Sequence, residues 1–297
     1  MYQLVITADD LGYGIQRDNG IMQCYKSGAV TQGTVLINGS SAKFAIMHAK
    51  QLAMPLGLHL NLTEGLPISP RSDVPSLVNE LGFFRGKFGF REALVEGRIC
   101  FLEVSKEIKA QVTKFQQLSG ALPQHVDGHQ HVHILPGIRE VFASVISSFG
   151  IQWTRLSAES LQHADWLDAQ SMAFYRSVVE DSVASKKIFS SKSIRSTDAF
   201  IGMPTMGKNM TVKRLKEALS NVFDLDGHFE NSVIRSCELM VHPGYPCKNG
   251  GCGQGPDDFS RSTERPHEMN VIQSDELLSF YKKNNIQLMP YPNLDNK

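Results

Sequence analysis

Two adjacent carboxylates, Asp9 and Asp10, are the first residues in the chain that could carry out chemistry. They follow a short apolar run at residues 4–7, which predicts a buried strand. Neighbouring side chains of an extended segment point to opposite sides, so one carboxylate could bind a metal while the other faces a water beside it. An aspartate-rich turn or a helix cap is the alternative interpretation.

Histidine is concentrated in one internal segment. His125, His129, His131 and His133 fall within nine residues, with Asp127 among them, a density that is unusual outside metal sites. His129 and His133 stand four apart, as on one face of a helical turn, whereas His129 and His131 stand two apart, as on one face of an extended segment. The spacing leaves open which of them would bind a metal.

Two further histidines fall near the ends of predicted strands. His59 lies in the alternating segment 56–62, and His242 follows the apolar segment 236–241. A lone histidine on a strand is more often a core or surface residue, so neither is diagnostic alone. Together, carboxylates and imidazoles suit a divalent metal such as Zn, Mn, Fe or Mg, and a site with three protein ligands keeps a position open for water or substrate.

These side chains need a scaffold that brings strand ends together. Strand-like and helix-like segments alternate along the chain, which predicts one parallel α/β domain over residues 1–297, built as a complete or incomplete barrel. In such folds the functional residues collect at the carboxyl ends of the strands. Further strands are predicted at 30–37, 151–156, 198–203 and 286–289, and helices at 18–27, 41–52, 102–118, 136–148, 169–185, 211–223 and 274–284. In the helix 102–118, we expect Leu102, Ile108, Val112 and Phe115 to face the core.

Residues from 63 to about 100 interrupt this alternation. The segment is rich in glycine and proline and carries Phe83, Phe84, Phe88 and Phe90. We therefore expect a loop-rich insertion whose aromatic side chains fold it back onto the body. Long insertions of this kind often serve as lids or substrate walls, and a packed insertion without such a role is the alternative.

Composition narrows the classes of partner. The formal net charge is +0 and the isoelectric point is about 7.1, so neither nucleic acid nor an anionic membrane is expected as a partner. Five scattered cysteines predict reduced thiols and a cytoplasmic protein, and the spacing of Cys247 and Cys252 does not favour structural zinc. No signal peptide or membrane span is predicted.

Four motifs, in this order along the chain, resemble those of the YdjC family of carbohydrate deacetylases, which includes bacterial chitooligosaccharide deacetylases. They are Ala8-Asp9-Asp10-Leu11-Gly12, Gly57-Leu58-His59-Leu60-Asn61-Leu62, the histidine-rich segment 125–133 and Glu238-Leu239-Met240-Val241-His242-Pro243-Gly244. The glycine-rich segment from Gly250 to Asp257 is similar to animal members in particular. Leu11 stands where many members have phenylalanine, a packing change that leaves the carboxylates untouched.

The resemblance implies a distorted (β/α) barrel related to NodB-type polysaccharide deacetylases. It also implies removal of N-acetyl groups from small acetylated amino-sugar oligosaccharides, with a divalent metal that is usually Mg and sometimes Zn. Carried over by motif, the metal ligands would be Asp10, His59 and His129. Asp9 would be the general base and His242 the general acid, whereas a NodB-type His-x-x-x-His pairing would instead recruit His133. The resemblance adds a homodimer as an expectation.

Two other functions are compatible with these residues. A metal-dependent phosphoesterase would use a similar set, but with a second metal and with basic residues on the phosphate. The basic residues near the motifs are Arg17 and Arg155, whose placement the sequence does not define. A non-catalytic sugar-binding descendant would usually have lost the base or a ligand, and neither is lost here. Asp127 is expected to orient a histidine through its second ring nitrogen.

Overall fold

Seven parallel strands form one sheet in the part of the chain that the structure describes. The structure is a computed structural model, and it describes residues 1–162, 164–225, 227 and 234–294. The strands are β1 (Tyr2–Leu11), β2 (Gln32–Val35), β3 (Leu56–Leu60), β4 (Val126–Gly128), β5 (Ala199–Ile201), β6 (Ser236–Val241) and β7 (Ile286–Leu288). They lie in the order β4-β3-β2-β1-β6-β5, with β7 paired to the beginning of β1. β1 is therefore central, and every residue of it after Tyr2 is buried.

Helices cover this sheet. They are α1 (Ile15–Lys26), α2 (Ala42–Gln51), α3 (Lys87–Val95), α4 (Phe101–Ser119), α5 (Ile138–Ser148), α6 (Ala169–Ser191), α7 (Val212–Phe223), α8 (Asp258–Arg261), α9 (Glu264–Ile272) and α10 (Asp275–Lys283). Side-chain caps fix four of the described starts, at Asp168, Thr211, Asp257 and Ser274. Thr211, for example, accepts a hydrogen bond from the Arg214 N–H. No helix in the described ranges is long and apolar enough to cross a bilayer.

The sheet curls until its two edge strands are nearly joined. The expected strand at 151–156 is wrong as a continuous strand, because these residues form an isolated bridge, Trp153 with Arg195, and no ladder of paired residues. The Val126 N–H donates to the Trp153 carbonyl over 3.1 Å, and the Arg195 N–H donates to the Gln152 carbonyl over 2.7 Å. Since these bonds connect β4 to the residues just before β5, the distorted (β/α) barrel predicted from the sequence is confirmed.

The loop-rich insertion at residues 63–100 contains two short 3-10 turns and then α3. Phe84 and Phe90 are buried, as expected, whereas Phe88 is 61% exposed. The buried carboxylate of Glu107 on α4 accepts hydrogen bonds from the backbone N–H groups of Ile68 and Ser69, each over 2.8 Å. This contact attaches the insertion to the body, and its use as a lid stays a prediction.

Two features of the helices differ from the expectation. Leu102 is 76% exposed, because it lies in the first turn of α4 beyond the edge of the core, while Ile108, Val112 and Phe115 are buried. The second difference is α9, which is not predicted from the sequence because its inward side carries the buried charged residues Arg265 and Glu268. Charged residues on the buried side remove the apolar periodicity by which a helix is normally recognised.

Substitutions on α4 test this assignment of its faces. We expect Phe115→Ala to lower the free energy of unfolding by about 3–5 kcal/mol, because it leaves a cavity in the core. Leu102→Ala on the same helix should change it by no more than about 0.5 kcal/mol. Urea denaturation of both variants measures the difference, and equal effects would contradict the assignment.

Candidate active site

Side chains that could bind a metal or act as acids and bases lie at the carboxyl ends of four strands. Asp9 and Asp10 lie near the end of β1, His59 in β3, Asp127 in β4, and His242 directly after β6. The sheet order β4-β3-β2-β1-β6 makes these ends neighbours, so they surround one centre. The expected convergence at one edge of the sheet is therefore observed.

The two adjacent aspartates do not follow regular strand alternation. The register between β1 and β2 shifts by one residue between Ala8 and Leu11, and Asp10 has a left-handed backbone with φ of 63°. Both carboxylates consequently approach the same imidazole: His59 Nε2 lies 3.7 Å from Asp9 Oδ2 and 3.6 Å from Asp10 Oδ1. A bulge of this kind re-aims side chains, which a period of two does not predict.

Asp10, His59 and His129 form a candidate metal group. Besides the 3.6 Å distance to His59 Nε2, Asp10 Oδ1 lies 3.2 Å from His129 Nδ1. The other ring nitrogen of each histidine contacts a carboxylate: His59 Nδ1 is 2.8 Å from Asp127 Oδ1, and His129 Nε2 is 3.0 Å from Glu64 Oε2. Such contacts orient a histidine for metal binding. The predicted orienting contact of Asp127 is therefore present.

The donor chemistry of this group fits a divalent cation. Asp10 Oδ1 is buried and accepts no well-aligned hydrogen bond within the described ranges. Arg17 and Arg265 contact the other oxygen, Oδ2, over 3.1 and 3.2 Å. Asp10 thus turns one oxygen to two arginines and the other to two imidazoles. One carboxylate and two imidazoles suit several divalent metals, so the donors do not define which one.

Neighbouring charges shift the pKa values of Asp10 and His129 in opposite directions. Burial alone would raise the pKa of Asp10, but its contact with His129 and the positive charges of Arg265 and Arg17 outweigh burial and lower the pKa well below its usual value. Burial alone would lower the pKa of His129, but its contacts with Asp10 and Glu64 raise it to about 10. A metal bound at His129 Nδ1 would have to replace a proton there.

A second cluster surrounds Arg155, which is completely buried. Its guanidinium donates to both oxygens of Asp9 over 2.7 Å each, and to Glu238 Oε1 over 3.0 and 3.1 Å. It also lies 3.0 Å from Asp127 Oδ2. Asp9, His59 and Asp127 are close enough to hold a cation as well, but Arg155 already occupies both oxygens of Asp9. Burial raises the pKa of Asp9, with Arg155 and His59 opposing the increase.

His242 lies on the opposite side of Asp9 from the candidate metal group's histidines along the sheet. Its Nε2 is 3.8 Å from Asp9 Oδ2, and its backbone N–H donates to Glu268 Oε2 over 2.5 Å. Burial and the nearby Arg265 hold the pKa of His242 well below its usual value. The imidazole is therefore neutral in the free protein, whereas the sequence suggested a group that titrates near neutrality.

The remaining members of the histidine-rich segment point elsewhere. His133 Nε2 contacts the Arg155 carbonyl over 2.9 Å, its ring packs against Phe142, and burial lowers its pKa to about 4. His131 Nδ1 contacts the Ser157 hydroxyl over 2.9 Å. Gln130 and His131 both have left-handed backbones, so neither helical nor strand spacing applies. His133, the alternative ligand, is thus not brought to Asp10.

Removing Arg155 should destabilise the fold strongly. Arg155→Met leaves the carboxylates of Asp9, Asp127 and Glu238 buried without their shared cation, and we expect the free energy of unfolding to fall by about 3–5 kcal/mol. Arg98→Met is the matched control, because Arg98 pairs with Glu96 on the surface and such pairs contribute about 0–1 kcal/mol. Urea denaturation at neutral pH compares the two, and a loss for Arg155→Met as small as that of the control would contradict the assigned role.

Comparison with known proteins identifies relatives of this chain. The family model described as YdjC-like protein matches residues 3–283. A carbohydrate deacetylase of Danio rerio is 44% identical over 97% of this chain and 97% of its own length. One of Homo sapiens is 42% identical over 99% of this chain and 92% of its own length. A chitooligosaccharide deacetylase of Serratia marcescens is 32% identical over 61% of this chain and 72% of its own.

A solved crystal structure from Enterococcus faecalis V583 shares the fold, with a TM-score of 0.75 and 23% identity over 99% of both chains. The extent of the family match, together with the curated relatives that share more than 40% identity over almost the full chain, identifies the family. This chain belongs to the YdjC-like protein family.

Proposed function

We propose that this protein is a metal-dependent carbohydrate deacetylase that removes N-acetyl groups from small acetylated amino-sugar oligosaccharides. The names of the curated relatives support the reaction and the class of substrate. The observation that carries the proposal is the different environment of two adjacent carboxylates. Asp10 Oδ1 faces two imidazoles, whereas both oxygens of Asp9 accept hydrogen bonds from Arg155 and Asp9 Oδ2 lies near both His59 and His242.

In this proposal Asp10, His59 and His129 hold a divalent metal, either Mg or Zn. When bound, the metal would supply Lewis-acid chemistry, polarising the acetyl carbonyl and making a water molecule easier to deprotonate. Asp127 and Glu64 keep the two imidazoles turned towards Asp10 through the 2.8 and 3.0 Å contacts on their other nitrogens. The need for both carboxylates follows, since a freely rotating imidazole would bind a metal more weakly.

Asp9 acts as the general base. Its burial raises its pKa, so the carboxylate accepts a proton more readily than an exposed aspartate would. The two hydrogen bonds from Arg155 hold the group in one orientation. The proton that Asp9 removes belongs to the water that attacks the acetyl carbon, and this attack adds the water oxygen to that carbon.

His242 acts as the general acid. Cleavage of the C–N bond expels an amine, which is a poor leaving group unless its nitrogen gains a proton. Because the pKa of His242 is well below its usual value, the imidazole has to obtain that proton during the reaction. Asp9 Oδ2 lies 3.8 Å from His242 Nε2, so the proton taken from water can pass from Asp9 to His242 and then to the amine nitrogen.

The alternatives receive less support from the same geometry. A phosphoesterase would direct basic groups to a phosphate, but Arg17 and Arg265 contact Asp10, and Arg155 is enclosed by carboxylates. A non-catalytic sugar-binding protein would not need a separate base, and Asp9 is kept. All five cysteines are free thiols, which supports a cytoplasmic location, and the homodimer stays a prediction.

Acetate release tests the proposed roles. We expect the chelated protein to release acetate from N,N′-diacetylchitobiose or another small acetylated amino sugar only after Mg, Zn, Mn or Co is added back. Asp9→Asn should bind metal as the parent does and lose activity by about 10²–10⁴-fold, because it removes general base catalysis. His129→Ala should lose both metal binding and activity.

Asp73→Asn is the control for the aspartate substitution, because this exposed residue lies in the insertion, where its carboxylate accepts a hydrogen bond from the neighbouring Ser72 hydroxyl. Acetate release by Asp9→Asn at the parent rate would refute the assignment of the base. Stoichiometric metal binding without acetate release from any tested sugar would refute the proposed substrate class.

A further inference from the structure

Glu64, which no sequence motif assigned to the site, contacts the candidate metal group from outside. Its Oε2 lies 3.0 Å from His129 Nε2, and its Oε1 accepts a hydrogen bond of 2.8 Å from the Tyr13 hydroxyl. The two oxygens therefore have different partners, one in the site and one in the segment that follows β1. The carboxylate is held at both ends.

The backbone at Glu64 is held equally firmly by Asn61. Asn61 Oδ1 accepts hydrogen bonds from the N–H groups of Thr63 and Glu64 over 3.0 and 2.9 Å, and its Nδ2 donates to the Glu64 carbonyl over 2.8 Å. Asn61 itself is completely buried. The position of the Glu64 carboxylate is thus a built feature of the turn after β3, and not the chance orientation of a surface side chain.

Tyr13 connects this carboxylate to the glycine-rich segment of residues 249–257. The backbone N–H of Asp257 donates to the Tyr13 hydroxyl oxygen over 2.9 Å, so the single phenol proton is free to be donated to Glu64. Burial and the Glu64 carboxylate raise the pKa of Tyr13, which keeps that proton in place. The Gly251 N–H also donates to the Tyr13 carbonyl over 2.7 Å.

Close backbone contact explains the glycines at this junction. Gly65 has φ of 77°, and a Cβ there would lie 2.0 Å from the Cys252 carbonyl oxygen. The neighbouring Leu66 N–H donates to that same carbonyl over 2.9 Å. The turn that carries Glu64 and the glycine-rich segment are therefore packed backbone to backbone, and Tyr13 is buried between them.

We propose that Glu64 is a positioning residue of the metal centre and that Tyr13 acts through it, so that the docked glycine-rich segment fixes His129 in its metal-binding orientation. A histidine binds a metal through Nδ1 only when that nitrogen carries no proton, and a carboxylate at Nε2 keeps the remaining proton on the opposite side of the ring. This inference rests on the proposed metal site, since it describes how one of its ligands is held.

A double-mutant cycle on metal affinity tests the connection. Calorimetric titration of the metal-free protein with Mn²⁺ or Zn²⁺ should show that Glu64→Gln weakens binding by about 10–100-fold. Tyr13→Phe removes one oxygen and should weaken binding by a smaller factor. If Tyr13 acts through Glu64, adding Tyr13→Phe in the Glu64→Gln background should cause no further loss.

Tyr291→Phe is the matched control. Tyr291 is also a buried tyrosine that donates to a carboxylate, Glu238 Oε2 over 2.6 Å, but Glu238 belongs to the Arg155 cluster and not to the candidate metal group. Removal of the Tyr291 hydroxyl should leave metal affinity unchanged. Circular dichroism melting of each variant shows whether the fold is retained, and Glu64→Gln tests the same path if Tyr13→Phe fails to fold.

The outcomes separate this inference from the proposed function. Unchanged affinity in Glu64→Gln overturns the role of Glu64. Unchanged affinity in Tyr13→Phe, or an equal additional loss in the Glu64→Gln background, overturns the connection through Tyr13, while acetate release by the parent protein would still stand. Failure of the parent protein to bind any metal would overturn the metal site itself, and with it this inference.

Discussion

One buried guanidinium joins three carboxylates at the centre of this protein. Arg155 is completely buried and contacts Asp9, Asp127 and Glu238, which come from β1, β4 and β6. Buried carboxylates without a cation would be protonated or would unfold the strand ends that carry them. The arginine therefore lets the strands converge with ionisable groups at their ends, and it does so from a segment that barely takes part in the sheet.

The contacts of Arg155 also give the neighbouring residues Asp9 and Asp10 different surroundings. Arg155 donates to both oxygens of Asp9, and Asp9 Oδ2 lies 3.7 Å from His59 Nε2 and 3.8 Å from His242 Nε2. Asp10 is not in contact with Arg155, because the left-handed backbone at its own position directs its side chain towards His59 and His129. Arg17 and Arg265 then balance its second oxygen. The proposed base and the proposed metal ligand can thus lie side by side, each paired with different arginines.

Much of this arrangement was predictable, for a physical reason. The carboxyl ends of parallel strands meet at one edge, so Asp9, Asp10, His59 and His242 could be placed together from the strand pattern alone. What the sequence could not give was contact between residues distant along the chain. Arg155 was recognised only as a basic residue, and Glu64 and Glu268 had no signal at all, because a single charged residue carries no period.

Local backbone geometry was the other source of error. Left-handed residues at Gln130 and His131 break the spacing that made His129, His131 and His133 equivalent candidates. Charged residues on the buried side of α9 removed its helical pattern, and Leu102 continued an apolar pattern past the end of the core. In each case a tertiary contact overrides the period from which the sequence was interpreted.

We propose that Asp10, and not Asp9, binds the metal together with His59 and His129. Anomalous diffraction from a crystal soaked in Mn²⁺ or Zn²⁺ tests it most directly. We expect a single anomalous peak at coordination distance from Asp10 Oδ1, His59 Nε2 and His129 Nδ1, with Asp9 still bound to Arg155. A peak between Asp9, His59 and Asp127 would refute this assignment, because it would make the proposed base a metal ligand.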